Sequence, residues 1–336
     1  MHNFKKASLA ALGFLGSVLV LFVLLVYPYF HGQTYYYEDA AQREALAGTV
    51  DTLISGASHG YCAVSPVLLD EALGTSSYNL SGPLMPMEAR ARLLLKELDR
   101  NPVKTVFFEL SCNAFTRTRE TDGIEGDLYA LPRTESLSYF FAAFQPEEYL
   151  PALSDTMNRG FHSWKALLTG EAPAIDPKNR GYLPKPSSDL SMTPEEYRSI
   201  KNQTPVNVEA TWENKEPFFR MVEACQERGI EVIFITTPMS HRMLAEYTEL
   251  ETPHEWLLYY AQKYQVPFWD FNLWKEPLFP DETAFYDQYH LSEEGSQVFT
   301  ALLSDCYRKY KNGEDFSDQF FDTYAALDEA LDAQYQ

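Results

Sequence analysis

The sequence predicts an α/β fold: a parallel sheet covered by helices on both faces. Two observations predict it. Strand-type and helix-type segments alternate along most of the chain, and the strand runs are apolar without interruption rather than alternating with polar residues.

The elements follow in order. Thr49 to Gly56 reads as a strand entering a turn, and Ser77 to Leu80 as a second strand. Met87 to Asp99 carries helical periodicity, and Lys104 to Leu110 is a nearly continuous β-type run. Residues 215–228 form an amphipathic helix stopped by Gly229, which feeds the strand Ile230 to Pro238. A helix over 242–263, a short strand at Val266 to Asp270 and a last helix from Ser292 to Lys311 complete the pattern. In such sheets ligands bind beyond the carboxyl ends of the strands, where Ser58, Asn79 to Gly82 and Ser111 to Asn113 fall.

Residues 114–205 break the rhythm with Pro132, Pro146, Pro151, Pro173, Pro177, Pro184 and Pro186 and several aromatics, Trp164 among them. This reads as an insertion between two sheet strands, emerging on the ligand side; such an excursion is expected to act as a lid or substrate wall, the competing reading being inert surface decoration.

Before the first strand, Leu9 to Tyr29 holds no charged side chain, about the 20 apolar residues a bilayer core requires. Lys5 and Lys6 precede it, which favours a cytoplasmic N-terminus, and Tyr27, Tyr29, Phe30 and Tyr35 to Tyr37 suit the lipid–water interface. Val26 to Phe30 lacks the small-residue pattern of a cleaved signal. The organisation expected is therefore a cytoplasmic stub and anchor over 1–30, an extracytoplasmic domain over 31–312 carrying the insertion, and an acidic tail over 313–336.

A chain that is 45% hydrophobic and 15% aromatic, with only 16 glycines in 336 residues, can bury a sizeable core. Its net charge of −21 argues against a nucleic-acid partner, since no basic stripe exists to displace phosphate counterions. An anionic substrate would have to meet local cations, for which Arg117, Arg119, Arg159 and Arg180 are candidates. Cys62, Cys112, Cys225 and Cys306 form no CxxC pair, and seven histidines show no HExxH or HxH spacing, so neither a metal nor a cofactor is expected.

Chemistry concentrates near the two ends. Ser58, in Gly56-Ala57-Ser58-His59, stands at a strand-to-helix turn where its hydroxyl can face open space and its own N–H can serve an oxyanion. Asp287 and His290 are three apart in Asp287-Gln288-Tyr289-His290-Leu291, just before the capping sequence Ser292-Glu293-Glu294. That spacing sets a carboxylate beside an imidazole, fixing its tautomer and supporting the imidazolium formed when a serine loses its proton. Ser58, His290 and Asp287 are thus candidate nucleophile, base and orienting acid. His59 and His241 are ambiguous, each able to line a pocket or to serve at a helix start.

These blocks resemble those of the SGNH/GDSL hydrolase superfamily, whose members have a flavodoxin-like three-layer α/β/α fold. Gly56 to His59 is similar to the nucleophile block, with Ala57 where aspartate is usual, and Asn79-Leu80-Ser81-Gly82 to the second, whose glycine N–H serves the oxyanion hole. Leu110-Ser111-Cys112-Asn113-Ala114 is similar to the third, with Asn113 matching while Ser111 replaces glycine and Ala114 aspartate. Asp287 to Leu291 with Gly295 matches the last. The resemblance implies an oxyanion hole of Ser58, Gly82 and Asn113. The anchor and long insertion look most like the membrane-anchored, DltD-like branch. That likeness implies a serine esterase or O-acyltransferase acting on acetyl, D-alanyl or similar groups of a cell-surface polysaccharide or teichoic acid, beside a membrane-bound O-acyltransferase. Hydrolase and transferase differ in how well water is excluded from the acyl-enzyme, which residue identities do not decide. The rivals are a non-catalytic glycan-binding module using Trp164, Trp269 and Trp274, and a scaffold subunit.

Overall fold

In a computed structural model the chain is described at residues 2–32, 34–83, 85–112, 114–115, 146–151, 169, 177–206, 209 and 212–336. Two compact units divide it: Met1–Gln42 with Ile124–Asp176, and Arg43–Gly123 with Pro177–Gln336. The first holds α1 (His2–Gly32) and most of α2 (Thr34–Ala45). Within α1, Lys6–Val23 is long and apolar enough to cross a membrane, and none of that window is buried in the protein. Leu12, Phe14, Leu15 and Leu19 are each more than 60% exposed, an arrangement that water disfavours and lipid accepts.

The second unit is built on a five-stranded sheet of β1 (Thr52–Ser55), β2 (Ser77–Asn79), β3 (Thr105–Glu109), β5 (Glu231–Thr236) and β7 (Phe268–Asp270). All pairs are parallel, in the order β2-β1-β3-β5-β7. Ranked by chain position that is 2-1-3-4-5, the flavodoxin-like order, whose switch point lies between the first and third strands. The central strands are buried on both faces, as uninterrupted apolar runs require. Ile54, Phe107, Ile233 and Ile235 pack with Phe299 and Leu303 of α10 (Glu293–Asn312). Toward the opposite layer, Phe108 and Phe234 meet Phe218 of α7 (Trp212–Glu227), which lies against α5 (Met87–Arg100).

One expectation is corrected. Instead of one helix over 242–263 there are two, α8 (His241–Glu246) and α9 (Glu251–Tyr264), separated by the short strand β6 (Tyr247–Thr248). Glu249 turns to φ +64° between them, and Pro253 has no N–H to offer the carbonyl four residues back, so a continuous helix would lose a bond and clash there. β6 pairs instead with β4 (Thr204–Pro205), just after α6 (Pro194–Ile200). The acidic tail forms α11 (Tyr324–Gln334), where Leu327 and Leu331 are buried and Tyr335 stacks on Tyr197 at 4.7 Å.

Candidate active site

β1 ends at Ser55, and two residues later the chain enters α3 (Ser58–Ala63), with Ser58 at its first position. Gly56 lets this turn press against its neighbours: a β-carbon there would lie 2.6 Å from Glu109 Oε2 and 2.9 Å from Ser81 Oγ. Gly60 is similarly tight: a β-carbon there would lie 2.5 Å from the same hydroxyl. The Ala57 N–H donates to Glu109 Oε2 at 2.9 Å. From β2, the Asn79 side chain donates to the carbonyls of Gly60 and Val64, each at 2.9 Å, and accepts the Ser81 N–H at 3.0 Å. It thereby satisfies carbonyls at the end of α3. Gly82 is buried just beyond β2, at the sheet edge where Ser58 also lies. Asn113 lies outside the described residues, as do Arg117, Arg119, Arg159 and Trp164.

The other half comes from the hairpin preceding α10. Phe285 bridges Leu291 antiparallel, and the Tyr286 N–H donates to the His290 carbonyl at 2.8 Å. Inside this loop the Asp287 carboxylate accepts N–H groups of Tyr289 and His290 and meets His290 Nδ1, all at 2.9 Å. Such a bond presents the opposite ring nitrogen to the site. His290 Nε2 is buried and has no hydrogen-bond partner among the described residues, the Ser58 hydroxyl included.

α10 carries this loop to α3. Ser296 Oγ donates to the Ala63 carbonyl at 3.0 Å, and Thr300 Oγ1 donates to the same carbonyl at 3.4 Å and accepts the Ser65 N–H at 3.1 Å. More than 230 residues apart in sequence, the two segments are pinned side by side. The segment Leu183 to Lys185 binds both, with the Leu183 N–H on the Tyr61 carbonyl at 3.0 Å and the Glu293 N–H on the Lys185 carbonyl at 2.7 Å. The Lys185 ammonium rests over Tyr61 and Tyr286, 5.9 and 5.2 Å from their centroids, one ring from each half of the site.

His59 joins the halves directly, its ring edge-on to His290 with centroids 5.2 Å apart. Its helix-start position and its contact with the site therefore coexist. Burial, and the neighbouring His290, hold the His59 imidazole at about 4, below its ordinary 6.5, against the opposing pull of Glu109. Neutral His59 adds no positive charge beside His290 at pH 7. Between pH 6.5 and about 4 the unfolded chain takes up this proton and the folded one does not. The stabilisation is therefore complete above pH 6.5 and lost as the pH falls toward 4. Thermal midpoints measured from pH 7.5 to 4.5 should fall less steeply in His59→Phe than in the parent; equal slopes count against this assignment.

Other sequence expectations resolve differently. Arg180 is engaged with Asp70 and donates to the Ser77 carbonyl, so it braces β2 rather than awaiting an anion. The cap of α8 is Ser240, which accepts the Met243 N–H, and His241 follows it. Trp269 and Trp274 are 7% and 8% exposed and belong to the core, which removes them as sugar platforms. Sequence reasoning missed Glu109 and Arg90. The available signals were a carboxylate ending an otherwise apolar strand and an arginine between Ala89 and Ala91 on a buried helix face.

An α/β protein of flavodoxin-like strand order, with a histidine–carboxylate pair brought beside a serine-bearing turn at the switch point, is the class defined by these features. No family model matches the chain, and no curated protein matches it. Comparison with solved structures finds a protein from Bacteroides fragilis NCTC 9343 named as a candidate acylhydrolase, at TM-score 0.40 and 12% identity, over 81% of this chain and 94% of that one. It also finds one from Streptococcus pneumonia named as a candidate platelet activating factor, at TM-score 0.36 and 16% identity, over 86% and 97% of the two chains. At these levels of similarity nothing about the reaction transfers to this chain.

Proposed function

We propose that this chain is a membrane-anchored serine esterase or O-acyltransferase working outside the cytoplasmic membrane on acyl groups of a cell-surface polysaccharide or teichoic acid. The observation that supports it most is the Asp287–His290 pair, whose buried Nε2, unpartnered among the described residues, belongs to a ring packed against the residue next to Ser58. In this reading His290 takes the Ser58 proton as the serine oxygen attacks an ester or thioester carbonyl, and Asp287 supports the imidazolium. N–H groups of Ser58 and Gly82 and the Asn113 side chain hold the oxyanion. His290 then returns the proton to the leaving group; water or a sugar or polyol hydroxyl, deprotonated by His290, attacks the acyl-enzyme carbonyl, and Ser58 leaves and takes that proton back from His290. The α1 helix supplies the anchor, and a membrane-bound O-acyltransferase is the partner expected.

One labelling experiment tests nucleophile and orientation together. A membrane-impermeant fluorophosphonate should modify Ser58 on intact cells and on detergent-solubilised membranes alike. Labelling only after solubilisation contradicts the orientation, and no labelling in either contradicts the serine mechanism.

A further inference from the structure

A carboxylate without contact to solvent lies directly under the turn that presents Ser58. Glu109 is 0% exposed and Arg90 is 4% exposed. Arg90 Nη2 stands 3.7 Å from Glu109 Oε2, while Arg90 Nη1 donates to the Glu109 backbone carbonyl at 3.0 Å. Burying such a pair is costly, and an apolar pair of similar volume often serves stability as well or better. Beyond Arg90's bond to the Glu109 carbonyl, the carboxylate itself reaches the site: the Ala57 N–H, at the entrance of α3, has Glu109 Oε2 as its acceptor.

That bond fixes the residue immediately before Ser58. Ala57 adopts φ −102°, ψ −150° and has no side chain with which to cap the helix, so nothing of its own holds the peptide that leads into Ser58. A charge-assisted acceptor does so instead. Gly56 permits the approach, since any β-carbon there would collide with the Glu109 side chain. An uncompensated carboxylate so near would oppose negative charge developing at the Ser58 N–H, and the Arg90 guanidinium offsets it. Both charges reach the site, because Glu109 raises and Arg90 lowers the proton affinity of His59.

We propose that Glu109, neutralised by Arg90, is a positioning residue that sets the backbone of the Ser58 turn through the Ala57 N–H; this rests on Ser58 being the nucleophile. Two double variants of the full chain in detergent separate the acceptor from the charge. Glu109→Gln with Arg90→Met keeps an acceptor and carries no charge, whereas Glu109→Leu with Arg90→Met carries neither acceptor nor charge. Fluorophosphonate labelling of Ser58 and ester turnover, each per folded molecule, should stay within about 3-fold of the parent in the first. They should fall about 100-fold in the second, in kcat with KM unchanged, as expected for a nucleophile misplaced by about 1 Å. Equal rates in the two double variants, whether both high or both low, overturn the proposal. Amide-resolved hydrogen exchange of the parent supplies a second measurement should either variant fail to fold: the Ala57 amide should exchange only on global unfolding, and exchange at loop rates overturns the proposal. Absence of labelling in the parent refutes the nucleophile instead, and leaves the Ala57 exchange result to judge the bond.

Discussion

The His290→Asn variant is expected to lose about 10⁴- to 10⁶-fold in ester turnover while keeping its fold. The size follows from the ring's position. Nδ1 is committed to Asp287, and Nε2, next to the Ser58 segment, is buried with no partner among the described residues, so proton transfer has one route through this side chain. Asparagine can still donate to Asp287 but cannot accept the serine proton and pass it on. The fold should tolerate the change, because the loop is also held by backbone bonds from Tyr286 to His290 and by the N–H groups of Tyr289 and His290 on Asp287. Initial rates on a chromogenic ester, read beside the thermal midpoint, check both halves. A rate within 10-fold of the parent at an unchanged midpoint would remove His290 from the mechanism.

Gly295→Ala is expected to damage stability and turnover together. A β-carbon at Gly295 would lie 2.0 Å from the Ala284 carbonyl oxygen and 2.9 Å from its carbon, both backbone atoms that cannot rotate away. The same carbonyl accepts the Ser292 N–H at 2.9 Å, and Ser292 Oγ donates to the Thr283 carbonyl and accepts the Gly295 N–H. The start of α10 and the base of the hairpin are thus one assembly, and pushing them apart moves the loop that carries Asp287 and His290. Overpacking of this kind costs about 1–3 kcal/mol, and a displacement of about 1 Å at His290 costs about 100-fold in rate. Gly313→Ala is the control. Gly313 sits at φ +72° with open space around it, so it should lose about 1 kcal/mol from backbone strain and leave turnover per folded molecule untouched. Equal activities in the two variants would show that α10 does not position the histidine loop.

The alternation of elements and the parallel character of the sheet were legible because each central strand is a short apolar run, and only burial on both faces suits such a run. Asp287 and His290 were legible for a local reason: a three-residue spacing lets the carboxylate reach both the ring and the loop's own N–H groups without help from elsewhere. The Ser292 cap and the glycine stop after α7 are likewise local chemistry. The break between α8 and α9 was missed because the apolar pattern runs on through Tyr247, while Pro253 and the pairing of β6 with β4 overrule it.

What the chain order by itself determined is the kind of elements, their sequence and the short-range dyad, since these depend on neighbours a few residues apart. Only the tertiary structure decided that the Ala63 carbonyl meets Ser296 and Thr300, that Glu109 lies beneath Ala57, that Arg180 is engaged by Asp70 and that two histidine rings pack edge to face. Each of those joins segments more than 50 residues apart. No local pattern encodes such a meeting, because it is set by which faces of the sheet and helices can be buried together at close-packed density.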